Sequence, residues 1–122
     1  MKPIHHLLAP NLFKILALVW TILIFYFCLD DAPRVPKFTF EYKDKVVHFI
    51  FYFLFVYFWA KSIKNKSFNF FLTVLFLALF MGISIEFMQE NLTQHRTFDW
   101  YDILANSAGA ITSFTYVNKF LQ

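Results

Sequence analysis

Three stretches of the chain carry ionisable and polar residues at helical spacing. Asp44, His48 and Tyr52 are four apart, with Lys45 three before His48. Glu86 and Gln89 are three apart, and Asp99, Asp102, Asn106 and Gly109 follow at intervals of 3, 4 and 3, with Arg96 just ahead of them. Residues three or four apart share one helical face, so each stretch presents its polar groups together. Two chemistries fit this set. In the first, Lys45 and Arg96 supply positive charge to an anionic ligand, and the planar fork of Arg96 suits a carboxylate or phosphate. Glu86, Asp99 and Asp102 orient those cations or accept ligand hydrogen bonds, and Asp44, Gln89 and Asn106 complete the ligand-binding set. In the second, Glu86 or Asp102 acts as general base, His48 as acid or proton shuttle, and Arg96 stabilises phosphate charge. The catalytic set is then His48, Glu86 and Asp102. Ser84 and Ser107 have no evident base beside them, so no persuasive nucleophile exists and binding is favoured over catalysis.

A structural reading stands beside both. Glu86 pairs with Lys45, Arg96 or His48 to brace a bundle, Arg96 pairs with Asp99 or Glu86, and Asn106 bridges helices; such pairs add specificity more than stability. His48, Glu86, His95, Asp99 and Asp102 would suit a hard cation or a catalytic zinc. No paired-ligand motif supports that set, so neither metal nor cofactor is expected.

The elements that must position these residues follow from composition. Of 122 residues, 59% are apolar, 23% aromatic and only 16% charged, against about 45–50% apolar and about 25% charged in soluble domains. The single cysteine, Cys28, forms no internal disulfide and reads as a small buried hydrophobe. A membrane-crossing helix needs about 20 mostly apolar residues, and four stretches qualify, at about 12–29, 44–63, 68–89 and 102–121. The first follows the breaker Pro10 and a capping Asn11, and its Lys14 snorkels to the near surface. The fourth is interrupted by Asn106, Ser107, Thr112, Ser113, Thr115 and Asn118. Its small residues Ala105, Gly109 and Ser113 recur every fourth position and give a neighbouring helix a place to approach closely. The expectation is an all-α membrane protein, a single domain over 1–122 forming a four-transmembrane-helix bundle. Leu29-Asp30-Asp31 lacks the small residues of a cleavage site, so the first span is read as retained.

With four spans, one side holds Lys2, Lys14, Lys61, Lys64, Lys66 and Lys119 and no acid. The other holds all eight acids together with Arg34, Lys37, Lys43, Lys45 and Arg96. Six Lys/Arg against five place both termini in the cytoplasm. His48 and Asn106 then lie one turn below the starts of their helices and Glu86 one turn below the end of its own, in one buried layer. Asp44, Lys45, Gln89, Arg96, Asp99 and Asp102 form a wetter rim above it. The net charge of +3 belongs to span-flanking residues facing anionic lipid, and no nucleic acid is expected as partner. Trp100 and Tyr101 suit the outer interface, whereas Trp20 is too deep for an aromatic belt.

The run Asp44-Lys45-Val46-Val47-His48-Phe49 with Tyr52, then Glu86 and Gln89, then Arg96, Asp99, Asp102, Asn106 and Gly109, resembles the VanZ-like family of small bacterial membrane proteins. The resemblance covers the chain from Asp44 onward. It implies a multi-pass protein of the bacterial cytoplasmic membrane, in contact with membrane lipids. It also implies a link to low-level teicoplanin resistance. The converging polar residues themselves suggest an outward-facing crevice that takes an anionic lipid or a glycopeptide-type envelope ligand. An enzyme acting on a lipid-linked phosphate or glycan, and an accessory subunit or oligomer joined through the small-residue stripe, are the alternatives. The family often carries further glycines, one near Arg96 and one a turn after Gly109; here those neighbourhoods hold His95 and Ser113.

Overall fold

The computed structural model describes residues 2–29, 43–64, 67–92 and 100–121, with side chains from residue 11 onward in the first segment and from 45 onward in the second. These residues fold as four helices: α1 (Lys2–Leu29), α2 (Lys43–Lys61), α3 (Phe68–Leu92) and α4 (Trp100–Phe120). No strand occurs among them. α1 begins at Lys2, ahead of the expected cap at Asn11, and its apolar part of membrane-crossing length is Asn11–Leu29. α1 runs through Pro10, which offers no backbone N–H to the helix.

Helix ends have local causes. At the end of α2, the Ser62 hydroxyl donates to the Trp59 carbonyl at 2.7 Å and the Ser62 amide to the same oxygen at 3.2 Å, closing the last turn. Ser67 caps α3, its hydroxyl oxygen accepting from the Phe70 amide at 3.2 Å and satisfying one of the amides that a helix start leaves without a partner.

Ring contacts fix the helix directions. Phe13 meets Tyr57 and Phe58 while Phe27 stacks on Phe51, so α1 and α2 are antiparallel. Phe68 meets Phe114 whereas Gly82 lies against Asn106, so α3 and α4 are antiparallel too. Lys45 pairs with Asp102 and Tyr57 with Tyr116, which makes α2 and α4 parallel. α2 and α3 lie between α1 on one side and α4 on the other, and the α2–α4 seam is the most extensive in the fold. Its closeness is explained by Gly109. A Cβ there would run into the carbonyl group of Phe49, whose carbon would lie only 3.0 Å away. The expected small-residue stripe is therefore realised at Gly109 and Ser113, both buried, with Ala105 half-buried at its edge.

Polar side chains also tie α1 to α2. The Trp20 indole donates to the Phe51 carbonyl at 2.8 Å, and the Trp59 indole to the Thr21 hydroxyl oxygen at 3.1 Å. Trp20 lies deep because its one N–H finds a backbone acceptor there, which removes the main reason for a tryptophan to stay at an interface.

Many large apolar side chains face outward, Ile22, Phe76 and Phe80 among them. Residues Asn11–Leu29 and Phe68–Leu92 form two helices long and apolar enough to cross a bilayer. Soluble proteins rarely leave apolar patches of this extent on their surface. The two helices point to a membrane protein.

Candidate functional site

α2 and α4 start at the end of the bundle where α1 and α3 finish, and the polar stretches meet there. Lys45 Nζ donates to Asp102 Oδ1 at 2.7 Å. The second carboxylate oxygen of Asp102 lies 3.6 Å from His48 Nε2. On the other side of the ring, His48 Nδ1 is 2.9 Å from Asn106 Oδ1. An amide oxygen only accepts, so in this arrangement Nδ1 carries the hydrogen. The four residues form a ladder that alternates between two parallel helices, Lys45 and His48 from α2, Asp102 and Asn106 from α4. Spacings of three and four keep its rungs on facing surfaces.

The ladder is graded from wet to dry. Relative side-chain exposure is 28% at Lys45, 8% at Asp102 and 4% at His48. Asp102 lies in the first turn of α4, where unpaired amides and the helix dipole favour a negative charge. An exposed cation, a buried carboxylate and a sealed imidazole thus follow one another inward.

α3 completes the layer. Gly82 faces Asn106 and Tyr52, and Glu86, one turn further along, is fully buried. The expected layer of His48, Glu86 and Asn106 is present in this sense: all three are buried and sit at one end of the bundle. The direct partner of the imidazole is Asn106, and Lys45 is joined to Asp102.

Two expected rim residues are corrected. Asp102 is only 6% exposed and Gln89 only 1%. Asp102 is covered because the close α2–α4 approach brings Lys45 over it. Gln89 is covered because its Nε2 donates to the Cys28 carbonyl at 2.6 Å. That carbonyl belongs to the last turn of α1, where helix geometry leaves oxygens without an internal partner. One half of the Gln89 amide is therefore a tether between α3 and α1. Arg96, Asp99, His95 and the Asp44 side chain lie outside the described residues. Gly82 had no place among the expected site residues. Its position one turn before Glu86 on the same face was the available signal.

Chemically, the arrangement holds and orders charge. Both ring nitrogens of His48 are turned toward an amide and a carboxylate, and neither is a hydroxyl or thiol that a base would activate. Among the described residues, no group of three or more His, Cys, Asp or Glu is placed to hold a metal ion.

Comparison with known proteins extends the resemblance. A family model described as VanZ/LLP1 matches residues 6–121, nearly the whole chain. An uncharacterized protein of the fission yeast Schizosaccharomyces pombe is 38% identical over 98 residues, which is 79% of this chain and 57% of that protein. The chain thus spans little more than half the length of this curated relative. No solved structure matches.

Proposed function

The chain belongs to the VanZ/LLP1 family, and from that premise we propose that it is a multi-pass membrane protein whose polar layer opens away from the cytosol and binds an anionic envelope ligand. In this reading α2 and α4 cross the bilayer alongside α1 and α3. They have 19 and 21 residues, and at about 1.5 Å per residue each reaches about 30 Å, the thickness of a hydrocarbon core. Both termini face the cytoplasm, and the membrane is the bacterial cytoplasmic one.

The observation that carries the reading is the Lys45–Asp102 pair at the wet end of the ladder. Lys45 is the most exposed member, so its ammonium can exchange Asp102 for a ligand anion while Asp102 stays beside His48. The sequence also offers Arg96, four residues ahead of α4, as a second cation for such a ligand. A glycopeptide such as teicoplanin is one ligand of this class and would connect the site with resistance. The fission yeast relative favours the broader member, an anionic lipid headgroup, because that chemistry is not confined to bacterial walls.

The test is thermal unfolding of the purified protein in neutral detergent with added phosphatidylglycerol, phosphatidylcholine or teicoplanin. A ligand that binds only the folded state raises the midpoint. Phosphatidylglycerol is expected to stabilise the wild type and not the Lys45→Gln variant. Equal stabilisation of both removes Lys45 from the site, and a response to phosphatidylcholine alone ends the anion reading. Orientation is checked in a Cys28→Ser background with single cysteines at residues 38 and 65 and a reagent that does not cross membranes. Reaction from outside at 38 alone agrees with the proposal; reaction at 65 alone inverts it.

A second reading draws on the 3.6 Å approach of His48 to Asp102: an enzyme acting on a lipid-linked phosphate or glycan, with the imidazole moving a proton and the carboxylate holding its orientation. It requires that Asp102→Asn abolish turnover of such a substrate.

A further inference from the structure

The ladder uses only one end of the Asn106 amide. Oδ1 is held by His48, which turns Nδ2 away from the ring, and Nδ2 has no hydrogen-bond partner among the described residues. The Tyr52 hydroxyl is in the same position. Both residues are buried, Asn106 at 3% exposure and Tyr52 at 0%. They border the same space over Gly82. A Cβ placed on Gly82 would lie 3.3 Å from Asn106 Nδ2 and 3.5 Å from Tyr52 Cε2, the ring carbon next to the one that bears the hydroxyl.

Two buried donors converging on one spot, with a glycine as its floor, is not an apolar packing arrangement. Each buried donor left unmatched costs about 1–3 kcal/mol. Native interiors satisfy such groups with ordered water, which typically makes about three hydrogen bonds. We propose that one structural water molecule binds between Tyr52, Asn106 and Gly82, accepting from Asn106 Nδ2 and hydrogen-bonding the Tyr52 hydroxyl. The water offers its own hydrogen to the Glu86 carboxylate, one turn beyond Gly82 on α3 and fully buried. The water links the α3 carboxylate to the α2–α4 ladder and gives Glu86 a solvating partner within the dry layer. Gly82 is the residue that makes room, because any side chain there would occupy the water's place.

The sign of one measurement tests this. Tyr52→Phe removes the hydroxyl and keeps the ring. If the hydroxyl is bonded to water, the unfolding midpoint of the full chain in micelles falls by about 4 °C or more, the equivalent of one lost hydrogen bond. If the hydroxyl is dry, its removal leaves the midpoint unchanged or raises it, and the proposal is overturned. A second arm uses Gly82→Ala, whose methyl displaces the water. In that background the loss from Tyr52→Phe is expected to shrink to near zero, and an undiminished loss counts against the site. A structure at a resolution that shows waters decides independently of either variant. Density within hydrogen-bond distance of Tyr52 Oη and Asn106 Nδ2 supports the site, and its absence there overturns it.

Discussion

His48 Nδ1 lies 2.9 Å from the amide oxygen of Asn106, 58 residues further along the chain. This bond crosses the α2–α4 seam between two buried side chains, away from bulk solvent. Its partners are therefore sensitive to loss rather than to replacement. Asn106→Leu leaves the imidazole N–H without an acceptor and is expected to lower stability by about 1–3 kcal/mol. Asn106→Asp keeps an acceptor toward His48 and should lose less of the bond. Thermal unfolding in micelles ranks the two, and an Asn106→Leu protein as stable as the wild type contradicts the bond.

The two glycines of the chain are expected to respond differently to the same methyl group. At Gly109 a Cβ meets the backbone of Phe49, which cannot rotate away; at Gly82 its nearest contacts are 3.3 Å and longer and involve side chains. Gly109→Ala should force α2 and α4 apart and destabilise by about 1–3 kcal/mol or more, while Gly82→Ala moves no backbone and costs the water-mediated bonds of Asn106 and Tyr52 instead. Adding Tyr52→Phe separates the two: its effect on the unfolding midpoint should shrink in the Gly82→Ala background and stay unchanged in the Gly109→Ala background, and equal shrinkage in both would contradict this division.

The Lys45–Asp102 pair is asymmetric, with the cation reaching solvent and the carboxylate covered. Lys45→Met strands a buried anion and is expected to cost up to about 3 kcal/mol. Asp102→Asn leaves a lysine that can turn to water, so about 1 kcal/mol is expected. The double variant should be more stable than the sum of the two losses predicts. A double-mutant cycle on unfolding free energies reads the coupling, and strict additivity would mean that the two groups do not interact.

Gln89 holds the last turn of α1 through the Cys28 carbonyl, and Cys28 is the chain's only thiol, 3% exposed. Gln89→Leu is therefore expected to raise the rate of maleimide labelling at Cys28 several-fold, because labelling requires the helix end to open. An unchanged rate would show that apolar packing alone secures α1.

Much of this site was legible because burial in a membrane makes polar residues costly, so their spacing carries information. The faces of Lys45 with His48, and of Asp102 with Asn106, follow from three- and four-residue intervals, and their common depth follows from helix direction. The choice of partner was not legible. Lys45 could have met Glu86 as readily as Asp102 on periodicity alone, and what decided it was the closeness of α2 to α4 at Gly109, a tertiary property. Gln89 was read as a rim residue for a similar reason. Its acceptor is a backbone carbonyl on α1, and sequence patterns describe side chains rather than the orphan oxygens of a distant helix end. Pro10 was read as a helix breaker, and α1 nevertheless runs through it from Lys2 to Leu29.

The parallel pairing of α2 with α4 also sets an order of events. The tightest seam joins helices separated in the chain by all of α3, so during synthesis Lys45 and His48 emerge well before Asp102 and Asn106 exist to meet them. A nascent chain arrested ahead of Trp100 carries Lys45 and His48 without the carboxylate and the amide that α4 brings to them, a mark of incompleteness that disappears when the last helix docks.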